Sequence, residues 1–260
     1  VKSFTHAIIG CGRVAPNHVD GFRALDGYEI AYACDRQLDR AQSFASEHRI
    51  PSASAHVGDV LGDSRLTSVS VVVDHAQHAD LVERALMAGK HVLVEKPLAL
   101  SVSDADRLIA LSAARGRVLS VVSQHRFDPV VLAVRDWLAE GLLGQLLYVQ
   151  VSLEAGREPA YYTESYWRGT WSGEGGSALI NQGYHCLDVT QFLCGPLAVR
   201  AAVASTKVLK AVIATEETLS ALMTAGDVPV TLNVTVGSST IWRTRLEFVG
   251  ELGAVCFDID

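Results

Sequence analysis

Apolar and polar positions follow one rhythm up to about residue 123 and another beyond it. In the first stretch, short runs rich in β-branched residues read as buried strands: "HAIIG" (6–10), "YEIAYACD" (28–35), "SVSVVVD" (68–74), "HVLVE" (91–95) and "RVLSVVS" (117–123). Between them, "LDRAQSFASEH" (38–48), "QHADLVERALMAG" (77–89) and "SDADRLIALSAARG" (103–116) carry the period of amphipathic helices. Gly89 and Gly116 stand where helix C-caps belong, and Ser103 where an N-cap belongs. Strand–helix alternation at this spacing predicts an α/β domain over residues 1–123, a doubly wound parallel sheet with helices on both faces.

The second stretch, residues 124–260, predicts an α+β domain. A helix is expected at 129–140, a strand at 146–154, a loop rich in Tyr, Trp, Arg and Gly at 156–176, and a helix over about 177–193. Strands follow at 198–205, 217–225 and 228–237, with a hairpin over 245–259 around Gly250 and Gly253. In "VTLNVTV", Val230, Leu232, Val234 and Val236 alternate with Thr231, Asn233 and Thr235. This is the pattern of an open, mainly antiparallel sheet with one face on a core and the other left for helices, solvent or another subunit.

Composition narrows the function classes. Of 260 residues, 49% are apolar and 20% charged, as in a folded globular protein. A net charge of −7 offers no basic excess for nucleic acid. No run of about 18 apolar residues could span a bilayer, and "VKSFTHAIIGCG" enters a strand without the regions of a signal peptide, so a cytoplasmic location is expected. Cys11, Cys34, Cys186, Cys194 and Cys256 are widely spaced, without zinc-type pairs, and are expected to act as small buried apolar side chains.

Three stretches carry candidate chemistry. "GCGRVA" (10–15) fits G-x-G-x-x-A: Gly10 for a tight turn, Gly12 for close approach of backbone to a pyrophosphate, and Ala15 for close packing of helix on strand. Arg13 and Val14 complete that turn. Asp35, 23 positions beyond Gly12, ends the second strand, where an acid binds a ribose 2′-hydroxyl. The fingerprint predicts a Rossmann domain with NAD as cofactor, while adjacent Arg36 would accept the 2′-phosphate of NADP. "HVLVEKPLAL" (91–100) ends a buried strand in Glu95 and Lys96, and Pro97 favours an extended, stiff strand exit. Lys96 is then either a surface lysine of a strand–helix loop or a cation held for use. In "NQGYHCLD" (181–188) a helix would put Asn181 and His185 on one face, with Asp188 three further on and Gly183 marking a close approach. His185 reads as a core histidine, an acid/base or, least favoured, a metal ligand; asparagine is a poor transition-metal ligand and no metal is expected.

Together with "CDR" (34–36), "AGKHVLVEKPLAL" (88–100), "QHRFDP" (124–129), "YWRGTW" (166–171) and "GGSALINQGYHCLD" (175–188), these motifs resemble the Gfo/Idh/MocA family of nicotinamide-dependent sugar and cyclitol oxidoreductases over nearly the whole chain. The resemblance implies that Lys96 reaches the reacting oxygen across the nicotinamide and that His185 is the acid/base. Asn181 stands beside it, where many relatives carry aspartate, and being unable to hold a proton it can only orient substrate or His185. Glu95 would orient Lys96. His78, Gln124, Trp167 and Arg168 would contribute to the cofactor site, and Arg126 would meet substrate or serve structure. Asn181 with "WRGT" leans toward the branch acting on UDP-sugar acids and related sugars.

Two departures stand out. Relatives usually carry Thr-Pro after the fourth strand, whereas "VVVDHAQH" runs directly from Val73 to Asp74 and His75; either that loop is shorter or residues are missing from the chain. Relatives usually continue past the final hairpin, so a terminal helix and part of the site wall are expected beyond Asp260. The expected activity is hydride transfer between NAD(P) and a ring secondary hydroxyl of a sugar, nucleotide sugar or cyclitol. The alternatives are a ketosugar reductase and a non-catalytic dinucleotide or sugar sensor. A homodimer or homotetramer is expected, with a small carbohydrate or cyclitol as ligand and neither nucleic acid nor membrane as partner.

Overall fold

The computed structural model describes residues 4–259, and the chain divides into two compact units, the first ending at Val122 and the second beginning at Ser123. The first unit runs β1 (Phe4–Ile9), α1 (Ala15–Arg23), β2 (Tyr28–Cys34), α2 (Leu38–Glu47), β3 (Ser52–Ser54), α3 (Val57–Gly62), β4 (Leu66–Val71), α4 (His78–Met87), β5 (His91–Val94), α5 (Val102–Arg115) and β6 (Leu119–Val121). Its sheet has the order β3-β2-β1-β4-β5-β6, with every pairing parallel. Apolar clusters lie on both faces. Ile8, Val19, Ala33 and Phe44 belong to one, and Val69, Val82, Leu86 and Leu108 to the other. Burial on both faces is why these strands read as continuous apolar runs.

The sequence did not mark β3 or α3. At three and six residues, both are too short to establish a period. The cap of α5 is also corrected. Its N-cap is Ser101, whose Oγ accepts the Asp104 N–H at 3.1 Å, and not Ser103. Spacing favours Ser101, because a cap hydroxyl reaches the N–H three residues on. Gly116 closes the same helix in the left-handed region at φ 59°.

The second unit comprises α6 (Pro129–Ala139), β7 (Leu146–Glu154), α7 (Ala160–Thr163), α8 (Tyr184–Cys194), β8 (Leu197–Ser205), β9 (Thr218–Ala225), β10 (Val228–Thr235), β11 (Arg243–Gly250) and β12 (Ala254–Phe257). The sheet order is β12-β11-β7-β10-β9-β8. The pairing of β10 with β7 is parallel and the others are antiparallel. Val230, Leu232 and Val234 are buried among Val149, Val151, Val131, Cys186 and Val189. Thr231 and Asn233 face outward, as the alternation predicted. The helix expected over 177–193 is two pieces, a π-helical stretch at Ala178–Gly183 and then α8. Cys256 is exposed and Cys194 only half-buried, which corrects the expectation of five buried thiols. Among the described residues, no helix is long and apolar enough to cross a membrane.

Candidate active site

The strands β1, β2, β4 and β5 run parallel, so their C-terminal ends share one edge of the first sheet, and the chemistry-bearing residues of this unit lie there. Gly10 leaves β1 at φ 97°, and a Cβ at this position would sit 2.1 Å from the Val72 carbonyl oxygen. Only glycine fits. At Gly12 a Cβ would meet no protein atom within 4 Å, so the protein's own packing does not demand glycine there and the space is open to a ligand. Arg13 and Val14 are exposed in the same turn, Ala15 is fully buried, and no side chain caps the N-terminus of α1. An uncapped helix start behind a bare glycine turn fits a pyrophosphate.

Asp35 is buried, 9% exposed. Its Oδ2 accepts the Cys11 N–H at 3.1 Å and its Oδ1 the Gln37 N–H at 3.0 Å. A carboxylate has about four acceptor sites, so each oxygen keeps capacity for a ribose hydroxyl. Arg40 Nη1 lies 3.9 Å away, and Arg36 is exposed. Burial, with the negative charge of Asp35, pushes the Cys11 thiol up to about 12. The glycine turn, the open helix start and the anchored acid together fit a dinucleotide.

Glu95 and Lys96 follow β5, both half-buried, and the Lys96–Pro97 peptide bond is cis. Glu95 Oε1 pairs with His18 Nε2 of α1 at 3.0 Å. Burial raises the Glu95 carboxyl, but the His18 hydrogen bond and charge, with Lys96, more than offset this and hold it below the usual range. His78 does not present itself to a ligand. It is fully buried between the β5 exit and the β4 loop, its Nδ1 2.6 Å from the Pro97 carbonyl oxygen and its Nε2 3.2 Å from that of Val73, and a neutral ring donates to one of the two. Burial lowers its pKa.

In the second unit the loop before α8 folds around Glu174, which the sequence reading overlooked. This carboxylate is fully buried. Its Oε2 accepts from the Gly169 N–H at 2.7 Å and the Ser177 hydroxyl at 2.6 Å, and its Oε1 from Asn181 Nδ2 at 2.6 Å. Asn181 Nδ2 also lies 3.4 Å from the Tyr161 hydroxyl. Asn181 thus lies in the π-helical stretch, before α8 begins, and is held there by Glu174 and Tyr161. The Tyr161 ring stacks under Arg168 at 4.3 Å and near Arg157 at 5.2 Å. Arg168 also lies over Trp167 at 4.8 Å, and its buried Nε has no hydrogen-bond partner.

His185 is half-buried, with the His125 ring edge-on to it at 4.9 Å. His125 is itself held by Asp128, Nδ1 to Oδ2 at 2.7 Å. Gln124 is exposed next to it. Arg126 is paired with Asp188: its Nε and Nη2 donate to the two carboxylate oxygens, at 2.8 and 2.5 Å, and this pairing raises its pKa. Among the described residues, no group of three or more His, Cys, Asp or Glu side chains could hold a metal ion.

A parallel sheet of this order, with a glycine turn after β1 and an anchored acid after β2, defines a dinucleotide-binding oxidoreductase fold. The chain belongs to the Gfo/Idh/MocA oxidoreductase family. Residues 4–123 match its NAD-binding Rossmann domain and residues 131–256 its C-terminal domain. The chain is 30% identical to D-apiose dehydrogenase of Paraburkholderia graminis, over 86% of this chain and 58% of that one. It is also 30% identical to trans-1,2-dihydrobenzene-1,2-diol dehydrogenase of Sus scrofa, over 72% of this chain and 55% of that one. The chain therefore spans less than two thirds of the length of either relative. In structure it is similar to the WlbA dehydrogenase of Bordetella pertussis in complex with NADH and UDP-GlcNAcA, with a TM-score of 0.93 and 25% identity, covering 99% of this chain and 74% of that one.

Proposed function

We propose that this chain belongs to an NAD-dependent dehydrogenase acting on a ring secondary hydroxyl of a sugar, nucleotide sugar or cyclitol. The observation that carries the reading is the shared strand edge of the first unit, where the Gly10–Gly12 turn, the anchored Asp35 and the Glu95–Lys96 pair lie at the ends of three parallel strands. Relatives named for the oxidation of a sugar and of a diol, and a structural neighbour with NADH and a UDP-sugar acid, support the substrate class. Asp35 favours NAD over NADP, since its carboxylate would repel a 2′-phosphate.

The cofactor, when bound, accepts the hydride. Lys96 supplies the cation for negative charge developing on the hydroxyl oxygen. His185, whose residue type titrates near working pH, accepts the hydroxyl proton. Asn181, oriented by Glu174 and Tyr161, and Arg168, with its unsatisfied Nε, are positioned to bind substrate oxygens. The outward sheet face exposes Tyr148, Val203 and Leu222, which supports pairing of subunits through that face.

NADH formation, read by near-UV absorbance with NAD and a panel of inositols, simple sugars, aminocyclitols and UDP-sugars, tests this. Lys96→Ala should cut turnover by about a hundredfold or more while NAD binding stays within about threefold. His185→Ala should suppress turnover most at low pH, where hydroxide least replaces a missing base. A loss of tenfold or less for Lys96→Ala at saturating substrate would remove Lys96 from the chemistry. Silence of the wild type, with NAD bound, would move the assignment to a ketosugar reductase or a sensor.

A further inference from the structure

The face of the first sheet that α1 covers is not aliphatic throughout. His6 of β1, Ser70 of β4 and His18 of α1 are buried there, with Ser68 of β4 half-buried beside them. They join in one unbranched file. Ser68 Oγ lies 2.8 Å from His6 Nδ1, His6 Nε2 3.0 Å from Ser70 Oγ, Ser70 Oγ 2.9 Å from His18 Nδ1, and His18 Nε2 3.0 Å from Glu95 Oε1. The file crosses from strand to strand and ends one residue before Lys96.

The chemistry of its members sets its direction. An ionised carboxylate only accepts, so His18 Nε2–H donates to Glu95. With His18 neutral, its other nitrogen is an acceptor, so the Ser70 hydroxyl donates to His18 Nδ1. Ser70 has one proton, so its oxygen accepts from His6 Nε2–H. His6 Nδ1 is then an acceptor, and the Ser68 hydroxyl donates to it. In that state all four donated hydrogens point the same way, toward Glu95, and hydrogen bonds aligned in a chain polarise one another; in either state of His18 its Nε2–H donates to Glu95. Burial pushes His6 down to about 3, so this imidazole stays neutral and keeps its place in the file. Packing α1 on the sheet does not require such a file. Aliphatic side chains would do it, and buried polar groups return in hydrogen bonds about what their desolvation costs.

Resting on the reading of Lys96 given above, we propose that His18, Ser70 and His6 are positioning residues for the Glu95–Lys96 pair. They aim a file of donated hydrogen bonds at Glu95, hold it as a fixed carboxylate, and through it keep Lys96 charged and in place. The other ionisable groups bearing on Glu95 are Lys96 itself and His78 of α4, with Asp74 beside His78.

The test compares wild type with His18→Leu, His18→Gln and Ser70→Ala, using two readouts. In carbon-13 NMR of the carboxyl-labelled protein, the Glu95 titration should move up by about one pH unit in His18→Leu, which removes the donor. It should move by less in Ser70→Ala, which removes only the next link, and should be largely restored in His18→Gln, whose amide still donates. The acid limb of the kcat profile should move in the same order, with kcat near its foot about tenfold lower in His18→Leu and KM for NAD within about twofold. A merely structural role would move the thermal midpoint and neither titration. The proposal is overturned if the Glu95 titration is unchanged in His18→Leu, or, should that variant not fold, in Ser70→Ala. It is also overturned if His18→Gln behaves as His18→Leu does. Since the NMR arm needs no turnover, a shifted Glu95 titration in a chain without dehydrogenase activity would sink the functional reading and leave the file standing.

Discussion

Glu174 illustrates how one buried charge organises a loop. Three donors, the Gly169 N–H, the Ser177 hydroxyl and the Asn181 amide, converge on its carboxylate. Truncation leaves all three unsatisfied in a site closed to water. Glu174→Ala should therefore cost the second unit about 3 kcal/mol, read as a lowered urea midpoint, and should raise KM for substrate by releasing Asn181. A midpoint equal to wild type would mean that water replaces the carboxylate. The residue types of the site were legible in the sequence: Gly10, Asp35, Lys96 and His185 all stood in recognisable motifs. Their partners were not, because Glu174, Tyr161, His18 and Ser70 carry no local signature. Glu174 differs from a surface glutamate only in the backbone that closes over it, and His18 reads as one polar residue of an amphipathic helix.

At the scale of elements, the junction of the π-helical stretch with α8 turns on Gly183. A Cβ there would lie 2.9 Å from Val234 Cγ2 of β10. Helix propensity alone says that Gly183→Ala should stabilise by about 1 kcal/mol. The close approach reverses the sign, and overpacking should cost about 1–3 kcal/mol. The added variant Val234→Ala should relieve that cost, so that the double variant loses less stability than the two single losses together. Strict additivity would show that helix and strand separate freely. The glycine itself was visible as an odd residue inside a helical pattern. The π-helical stretch was not, since an apolar period over some seventeen residues, 177–193, cannot tell one wide turn from a regular one.

For the molecule as a whole, burial of a neutral histidine links stability to acid. His6 sits at about 3 in the fold against 6.5 when free. Below 6.5 the unfolded chain binds a proton that the folded chain refuses. Its contribution is therefore complete above 6.5 and is lost as pH falls, at about 1.4 kcal/mol per pH unit, until the folded group titrates near 3. Urea midpoints of the first unit's unfolding should fall between neutral pH and about 5, and the fall should be shallower in His6→Gln by that amount. Equal slopes would mean that His6 is protonated in the folded protein.

The sequence by itself determined the alternating strands and helices of the first unit, the one-sided sheet of the second, the family, and the positions of the glycine turn and of Lys96 and His185. Each of these is written in local periodicity or in a short motif, where neighbours along the chain are also neighbours in space. Tertiary structure alone decided which residues serve them. Arg126 is bound to Asp188, His78 is sealed behind the β5 exit, and Asn181 is turned toward Glu174. His6 and Glu95, far apart in the chain, become members of one polar file. Such pairings depend on which side chains the fold buries together, and burial is what turns an ordinary histidine or glutamate into a group with one fixed partner.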